Sequence, residues 1–337
     1  MTKQKFEILE ERFQEYLGLH SCVGCSSGSA ALHLGLESLM LSPGSEVIVP
    51  DYTMIACARA VTLANLKPVF VDCLDNLCIN PFAIRKAITA NTTAIMAVHI
   101  YGRSCDMTMI HAIAKEFNLR VIEDMAELHG VSPHEKTDVA CWSFYQNKVI
   151  HGEEGGAIAF KEGLIYSVSL ARSLRCLGFG SSHNFLHLPR GMNYRLSNVH
   201  ADLILASLEK VRTNLNNRFK VFQYFEEEIP KESHLTNSAM ISPWVYPVLL
   251  PESFGYSAQS KVVNYLNELG ISARQGFKPM TTQPEYRDGL TPCPNALRLS
   301  KRVCYLPINP AFDRQTVSKM AQGFSQAIAE VSKTLVP

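Results

Sequence analysis

Lys148 stands between the apolar run Val139 to Tyr145 and the glycine-rich stretch His151-Gly152-Glu153-Glu154-Gly155-Gly156. Most lysines ride exposed helix faces, so an amine at a strand end before a tight return is either an ordinary surface charge or a group offered to a ligand. Asp124 closes another apolar run, Leu119 to Ile122, which puts a carboxylate at the carboxyl edge of a strand. Ligands of open α/β sheets collect at that edge; the plain alternative is a solvated loop acid. Ser26-Ser27-Gly28-Ser29 opens a segment whose Leu32, Leu36, Leu39 and Met40 share one helical face. Such a turn either caps the helix or holds a phosphate through backbone N–H groups, hydroxyls and the helix dipole.

A phosphate cup, a carboxylate and a lysine amine together are the parts that pyridoxal-phosphate chemistry needs. The carboxylate keeps the pyridine nitrogen protonated, so that the ring accepts electrons from the substrate carbon. The lysine forms the Schiff base with the cofactor, is displaced by the incoming amine, and then moves a proton between the substrate carbon and C4′.

The elements that must position these groups follow from pattern. EVIVP, KPVFVD, TAIMAVHIYG, LRVIED, VACWSFY and GAIAF alternate with amphipathic stretches such as MTMIHAIAKEFN. That alternation predicts an α/β sheet, largely parallel, with covering helices. Residues 197–229 predict one or two long helices with apolar positions at Leu203, Leu205, Leu208, Val211 and Leu215. After Pro243 the pattern restarts as a smaller α/β unit: a strand (WVYPVLL), a helix (SAQSKVVNYLNELG), a strand-like ISARQG, a Pro-rich loop and a closing helix from Asp313. The expected division is a large domain over 1–215 and a small carboxyl-terminal domain over 216–337.

Composition excludes several classes. Lys plus Arg (32) nearly balances Asp plus Glu (31), so no broad positive field invites nucleic acid. The charged, helical amino terminus has no signal-peptide core and no apolar run reaches bilayer length, which predicts a cytoplasmic protein off the membrane. The ten cysteines sit mostly in apolar runs and read as reduced, buried thiols. Cys22-x-x-Cys25 lacks a second pair at zinc spacing, so no metal is expected. A nicotinamide oxidoreductase is disfavoured because no Gly-x-Gly-x-x-Gly follows any predicted strand. His33 and His99 fall in core-patterned segments; His129 and His151 lie nearer the lysine and are candidate substrate contacts.

SSGSAALHLGLESLMLSPGSEVIVPDYT, VHIYGRSCDM, VIEDMAELHG, SFYQNKVIHGEEGGAIAF, GMNYRLSNVHADL and GISARQGFKPMTTQPEY resemble, in order and spacing, the DegT/DnrJ/EryC1/StrS family of sugar aminotransferases. The resemblance runs from about residue 7 to the carboxyl terminus. It implies fold type I, with a mixed, mostly parallel seven-stranded sheet, and active sites shared across a homodimer. It implies pyridoxal 5′-phosphate held by Ser27, Gly28 and Ser29 with Ser143, Asp124 on the ring nitrogen, and Lys148 as the Schiff-base and proton-transfer residue. Asn193 would reach the phosphate of the neighbouring subunit. Met54 and Glu127 fall beside the cofactor, and His151, Arg274 and Phe277 on the substrate side. Glutamate is the implied amino donor and a nucleotide-linked keto sugar the acceptor, in surface polysaccharide or glycoconjugate biosynthesis. The Asn147-Lys148 pair and the Gly-Glu-Glu-Gly-Gly run are similar to the perosamine-synthase branch, which points to a GDP- or dTDP-4-keto-6-deoxyhexose. Family dehydratases carry histidine where this chain has Lys148, which favours transamination over dehydration.

Three departures bear on that expectation. Met54 replaces the aromatic ring that usually stacks on the cofactor, so Tyr52 would have to contribute or affinity falls. Glu127 replaces a common glutamine beside the cofactor's phenolic oxygen and must be protonated or paired there. The chain begins later than similar proteins, and Val131–Asp138 is shorter than the usual loop. An atypical substrate, or a silent or regulatory member of the fold, is the alternative these differences would suit.

Overall fold

A computed structural model describes residues 3–179, 185–235, 239–287 and 292–334. The charged start forms α1 (Lys5–Leu17), which stops at Gly18 in the left-handed region, φ 62°. The chain then alternates through β1 (Val23–Cys25), α2 (Gly28–Ser38), β2 (Glu46–Pro50), α3 (Ile55–Leu63), β3 (Lys67–Val71), α4 (Pro81–Ala87) and β4 (Thr92–Val98). It continues through α5 (Met107–Phe117), β5 (Arg120–Asp124), β6 (Val139–Ser143), β7 (Gly156–Phe160) and α6 (Ile165–Leu174). These strands make one seven-stranded sheet in the order β1-β7-β6-β5-β4-β2-β3. Neighbours from β3 to β6 pair parallel, and β7 alone runs against the rest. The mixed, mostly parallel α/β sheet expected from the alternation is therefore present. Its strands read as unbroken apolar runs because helices cover both faces, as the full burial of β2 and β7 shows.

Two strand expectations ran long. TAIMAVHIYG pairs only as far as Val98, after which Tyr101 (φ 52°) and Gly102 (φ 81°) turn the chain out of the sheet. VACWSFY pairs only as far as Ser143, where the lysine loop begins.

The segment 197–229 is two helices, α7 (Asn198–Glu209) and α8 (Val211–Glu228). Of the apolar positions, Leu208 and Val211 are buried, whereas Leu203 faces outward. β8 (Val245–Leu249), α9 (Tyr256–Glu268), β9 (Arg274–Gln275), α10 (Pro294–Ser300), β10 (Val303–Pro307) and α11 (Arg314–Lys333) complete the fold. β8, β10 and β9 form a second, three-stranded antiparallel sheet with β10 in the centre. α8 crosses residue 215 without a break. Its amino-terminal Val211 packs with the core around Trp142 and Ile204, and its Val221 and Phe225 pack with the small-sheet core around Val262 and Phe324. Among the described residues no helix is long and apolar enough to cross a membrane, and no cluster of His, Cys, Asp and Glu suits a metal ion. None of the ten cysteines forms a disulfide, and nine of them are buried.

Candidate active site

Strand direction decides where chemistry collects. β1, β5 and β6 deliver Ser27, Asp124 and Ser143 to one edge of the sheet, and the reversed β7 starts there, so the Lys148 loop returns to the same edge. A cavity of about 410 Å³ opens at this edge. Its wall includes Ser27, Gly28, Ser29, Met54, Asp124, Glu127, Ser143 and Lys148 on one side and Trp244, Phe277 and Tyr305 on the other. Eight predicted cofactor-side residues and Phe277 thus meet in one place.

The Ser/Gly turn does more than cap α2. Ser27 Oγ accepts the Ala30 N–H at 3.1 Å and the Ser27 carbonyl accepts the Ala31 N–H at 2.9 Å. The first two N–H groups of the helix, those of Gly28 and Ser29, remain for a ligand, at the positive end of the helix dipole. Close packing requires glycine here: a Cβ on Gly28 would stand 2.6 Å from Ser143 Cβ. Gly156 is needed for the same reason, since a Cβ there would run into the Ser27 carbonyl.

Asp124 is buried, with Oδ1 accepting the Ala126 N–H at 2.9 Å and Oδ2 accepting the Cys57 thiol at 3.1 Å. Burial first, and the Asp124 charge second, push the Cys57 thiol well up, so it stays protonated and donates. Lys148, 9% exposed, lies 3.8 Å by its Nζ from Glu127 Oε1. Burial lowers the lysine below its ordinary value, while Glu127 and Asp124 oppose that. Burial raises Glu127 to about 7, with Lys148 and the Tyr101 N–H, which donates to Oε2 at 2.8 Å, pulling the other way. The carboxyl at this position is thus paired with Lys148 and raised toward neutrality.

Met54 lines the cavity and is 52% exposed at the start of α3. Tyr52 is fully buried behind the wall. Its hydroxyl lies 3.2 Å from the Tyr101 hydroxyl and accepts the Phe277 N–H at 3.2 Å, so it props Phe277 instead of lining the cavity. Asn193 is exposed next to the cup, where the Tyr194 carbonyl accepts the Ser26 N–H at 2.9 Å. His151 is exposed, its N–H bound to Ser207 Oγ, and does not line the cavity. Arg274, also outside the lining, pairs in register with Tyr305 and its charge lowers the Tyr305 phenol against the larger effect of burial. His129 is buried, accepts the Ile150 N–H at Nδ1 and is held down to about 3 by burial, which makes it a neutral support for the lysine loop. His33 and His99 are buried structural residues, His99 bound to Glu123 at 3.0 Å.

Trp244 and Tyr305 went unseen in the sequence. Tyr305 lies in β10 and Trp244 immediately precedes β8, and only the packing of the small sheet against the large one brings them to Lys148.

Fold and cavity define an α/β protein with a buried lysine and two carboxylates at the carboxyl edge of its main sheet. The chain belongs to the DegT/DnrJ/EryC1/StrS aminotransferase family, whose profile matches residues 2–325. It is 36% identical to the GDP-perosamine synthase of Caulobacter vibrioides, over 82% of this chain and 77% of that protein. It is 31% identical to the dTDP-3-amino-3,6-dideoxy-alpha-D-galactopyranose transaminase of Aneurinibacillus thermoaerophilus, over 94% of this chain and 88% of that one. The crystal structure of 3-amino-5-hydroxybenzoic acid synthase shares the fold with a TM-score of 0.90 at 22% identity, covering 97% of this chain and 91% of its own.

Proposed function

We propose that this aminotransferase uses pyridoxal 5′-phosphate to aminate a nucleotide-linked keto sugar, with glutamate as amino donor. The observation that carries the proposal is the buried Lys148 amine facing Glu127 in the cavity that also holds the Gly28 turn and Asp124. The residues present fit the cofactor: two unspent helix N–H groups, hydroxyls at Ser27, Ser29 and Ser143, and a cradle that any Cβ at position 28 would fill. When bound, the cofactor supplies an aldehyde that reacts with amines and a ring that takes up the electron pair left at the substrate carbon.

The chain's own groups do the rest. Gly28, Ser29 and Ser143 bind the phosphate. Asp124 holds the proton on the ring nitrogen. Lys148 Nζ carries the cofactor and moves the proton at the substrate carbon. Glu127, able to take or release a proton near neutral pH, would face the phenolic oxygen without imposing a fixed negative charge. Met54 packs on the cofactor, and Phe277, Arg274 and His151 belong to the substrate side. In a homodimer Asn193 reaches the phosphate of the other subunit. Exposed apolar residues on α6 (Ile165, Tyr166) and one face of α7 (Val199, Leu203) favour such a dimer. Residues 1–215 and 216–337 serve as the large and small domains, joined through α8.

The relatives' names bring in a GDP-linked sugar and a dTDP-linked 3-amino-3,6-dideoxyhexose, so the candidate acceptors are a GDP-linked and a dTDP-linked keto-6-deoxyhexose. The test is to supply both with glutamate and follow 2-oxoglutarate and amino sugar. Stoichiometric formation of the two products with one acceptor supports the proposal. A protein that binds the cofactor yet turns over neither acceptor would belong to the silent branch of the fold.

A further inference from the structure

Lys148 has a second neighbour besides Glu127. Its Nζ lies 3.6 Å from the centroid of the Trp244 ring, over the face. The edge of the same indole is also engaged, because Trp244 Nε1–H donates to the Asn147 carbonyl at 2.8 Å. One side chain from the small-sheet side therefore touches both the lysine's ammonium and the peptide that carries it. Trp244 is 7% exposed and wedged between Tyr101 and Tyr305, with ring centroids at 6.2 and 6.1 Å, so its plane cannot swing freely.

The physics of that contact is directional. An indole face carries the negative side of the ring quadrupole and attracts a cation, and the attraction grows when both are desolvated. Burial alone favours the neutral amine. The ring face opposes burial, as do the carboxylates around the lysine, Glu127 first and then Asp124. Neutral His129 lies behind the loop.

We propose that Trp244 is a positioning residue for Lys148: its face seats the amine whenever that amine is not bonded to cofactor, and its N–H fixes the Asn147-Lys148 turn. The proposal rests on Lys148 being the cofactor lysine. In a reaction that frees this amine in every cycle, Trp244 then sets where the amine waits and from which direction it returns.

The test uses cofactor-free protein. Lys148 is reductively methylated with formaldehyde and cyanoborohydride across a pH series, and its peptide is quantified by mass spectrometry. In W244L the apparent pKa of Lys148 falls by about one unit, the size expected of a desolvated cation–π contact. In W244F the face persists and the pKa stays near wild type, but the Asn147 carbonyl loses its donor and amide exchange across 145–149 quickens. Should W244L not fold, uniform incorporation of fluorinated tryptophan weakens the ring face at nearly constant volume. It lowers the Lys148 pKa in the same direction, and Trp142, the other tryptophan, packs on Phe13. An unchanged Lys148 profile in W244L or in the fluorinated protein overturns the proposal. Borohydride labelling with pyridoxal phosphate in wild type separates the two layers. A label missing from Lys148 sinks the cofactor assignment, whereas a label on Lys148 with an unmoved profile sinks only the role of Trp244.

Discussion

Glu127 Oε1 faces Lys148 Nζ across 3.8 Å, while Glu127 Oε2 is anchored by the Tyr101 N–H at 2.8 Å. A carboxyl fixed at one oxygen and paired at the other cannot turn away from the lysine. Its folded pKa of about 7 stands above the ordinary 4.5, because burial outweighs the pairing. The sign follows: stability tied to this proton is complete below pH 4.5 and is lost as pH rises through 7. The E127Q variant has no such proton to lose. Its unfolding free energy should lack a decline on the order of 3 kcal/mol that wild type shows between pH 4.5 and 8. Urea melts at pH 5 and 8 check this, and parallel declines in both proteins would contradict it.

Gly28 and Ser143 face each other across the proposed phosphate cup. G28A puts a methyl 2.6 Å from Ser143 Cβ and closes the cradle, so cofactor affinity should drop at least about tenfold. S143A removes one hydroxyl donor and should cost only several-fold. Fluorescence titration with pyridoxal phosphate orders the two variants; equal, small losses would contradict the cup.

For Asp124, D124N keeps the shape but loses the charge that holds a proton on the ring nitrogen. Turnover should fall at least about a hundredfold while the cofactor still labels Lys148. Full turnover in D124N would refute the ring-nitrogen role.

A shared site predicts complementation. K148A and N193A homodimers should each be impaired. A mixed dimer rebuilds one intact site from Lys148 of one chain and Asn193 of the other, and random mixing should return about a quarter of wild-type turnover. No recovery on mixing, in verified heterodimers, would place Asn193 outside the neighbour's site.

The legible part of this site is the part tied to strand ends. Asp124 and Lys148 each follow an apolar run that must be a sheet strand, and parallel strands end at one edge, so their meeting follows from topology. Gly28 was legible through the helix it opens. Trp244 and Tyr305 were not, because they reach the cavity only through the packing of a second sheet. Its central strand, β10, is five residues between Arg302 and a terminal Pro307 and was absorbed into the expected Pro-rich loop. β1, three residues long, was missed for similar reasons: its pairing with β7 joins positions more than a hundred residues apart. Spacing along the chain also says little about the heading of a loop side chain. His151 is three residues from Lys148, yet the bond from its N–H to Ser207 Oγ places it outside the cavity lining.

The most direct test of the site is to mix the purified protein with pyridoxal phosphate, reduce with borohydride and map the modified peptide. A single pyridoxyl group on Lys148, lost in K148A, is the predicted result. Modification at another lysine, or none at all, would contradict the assignment of Lys148 as the residue that carries the cofactor.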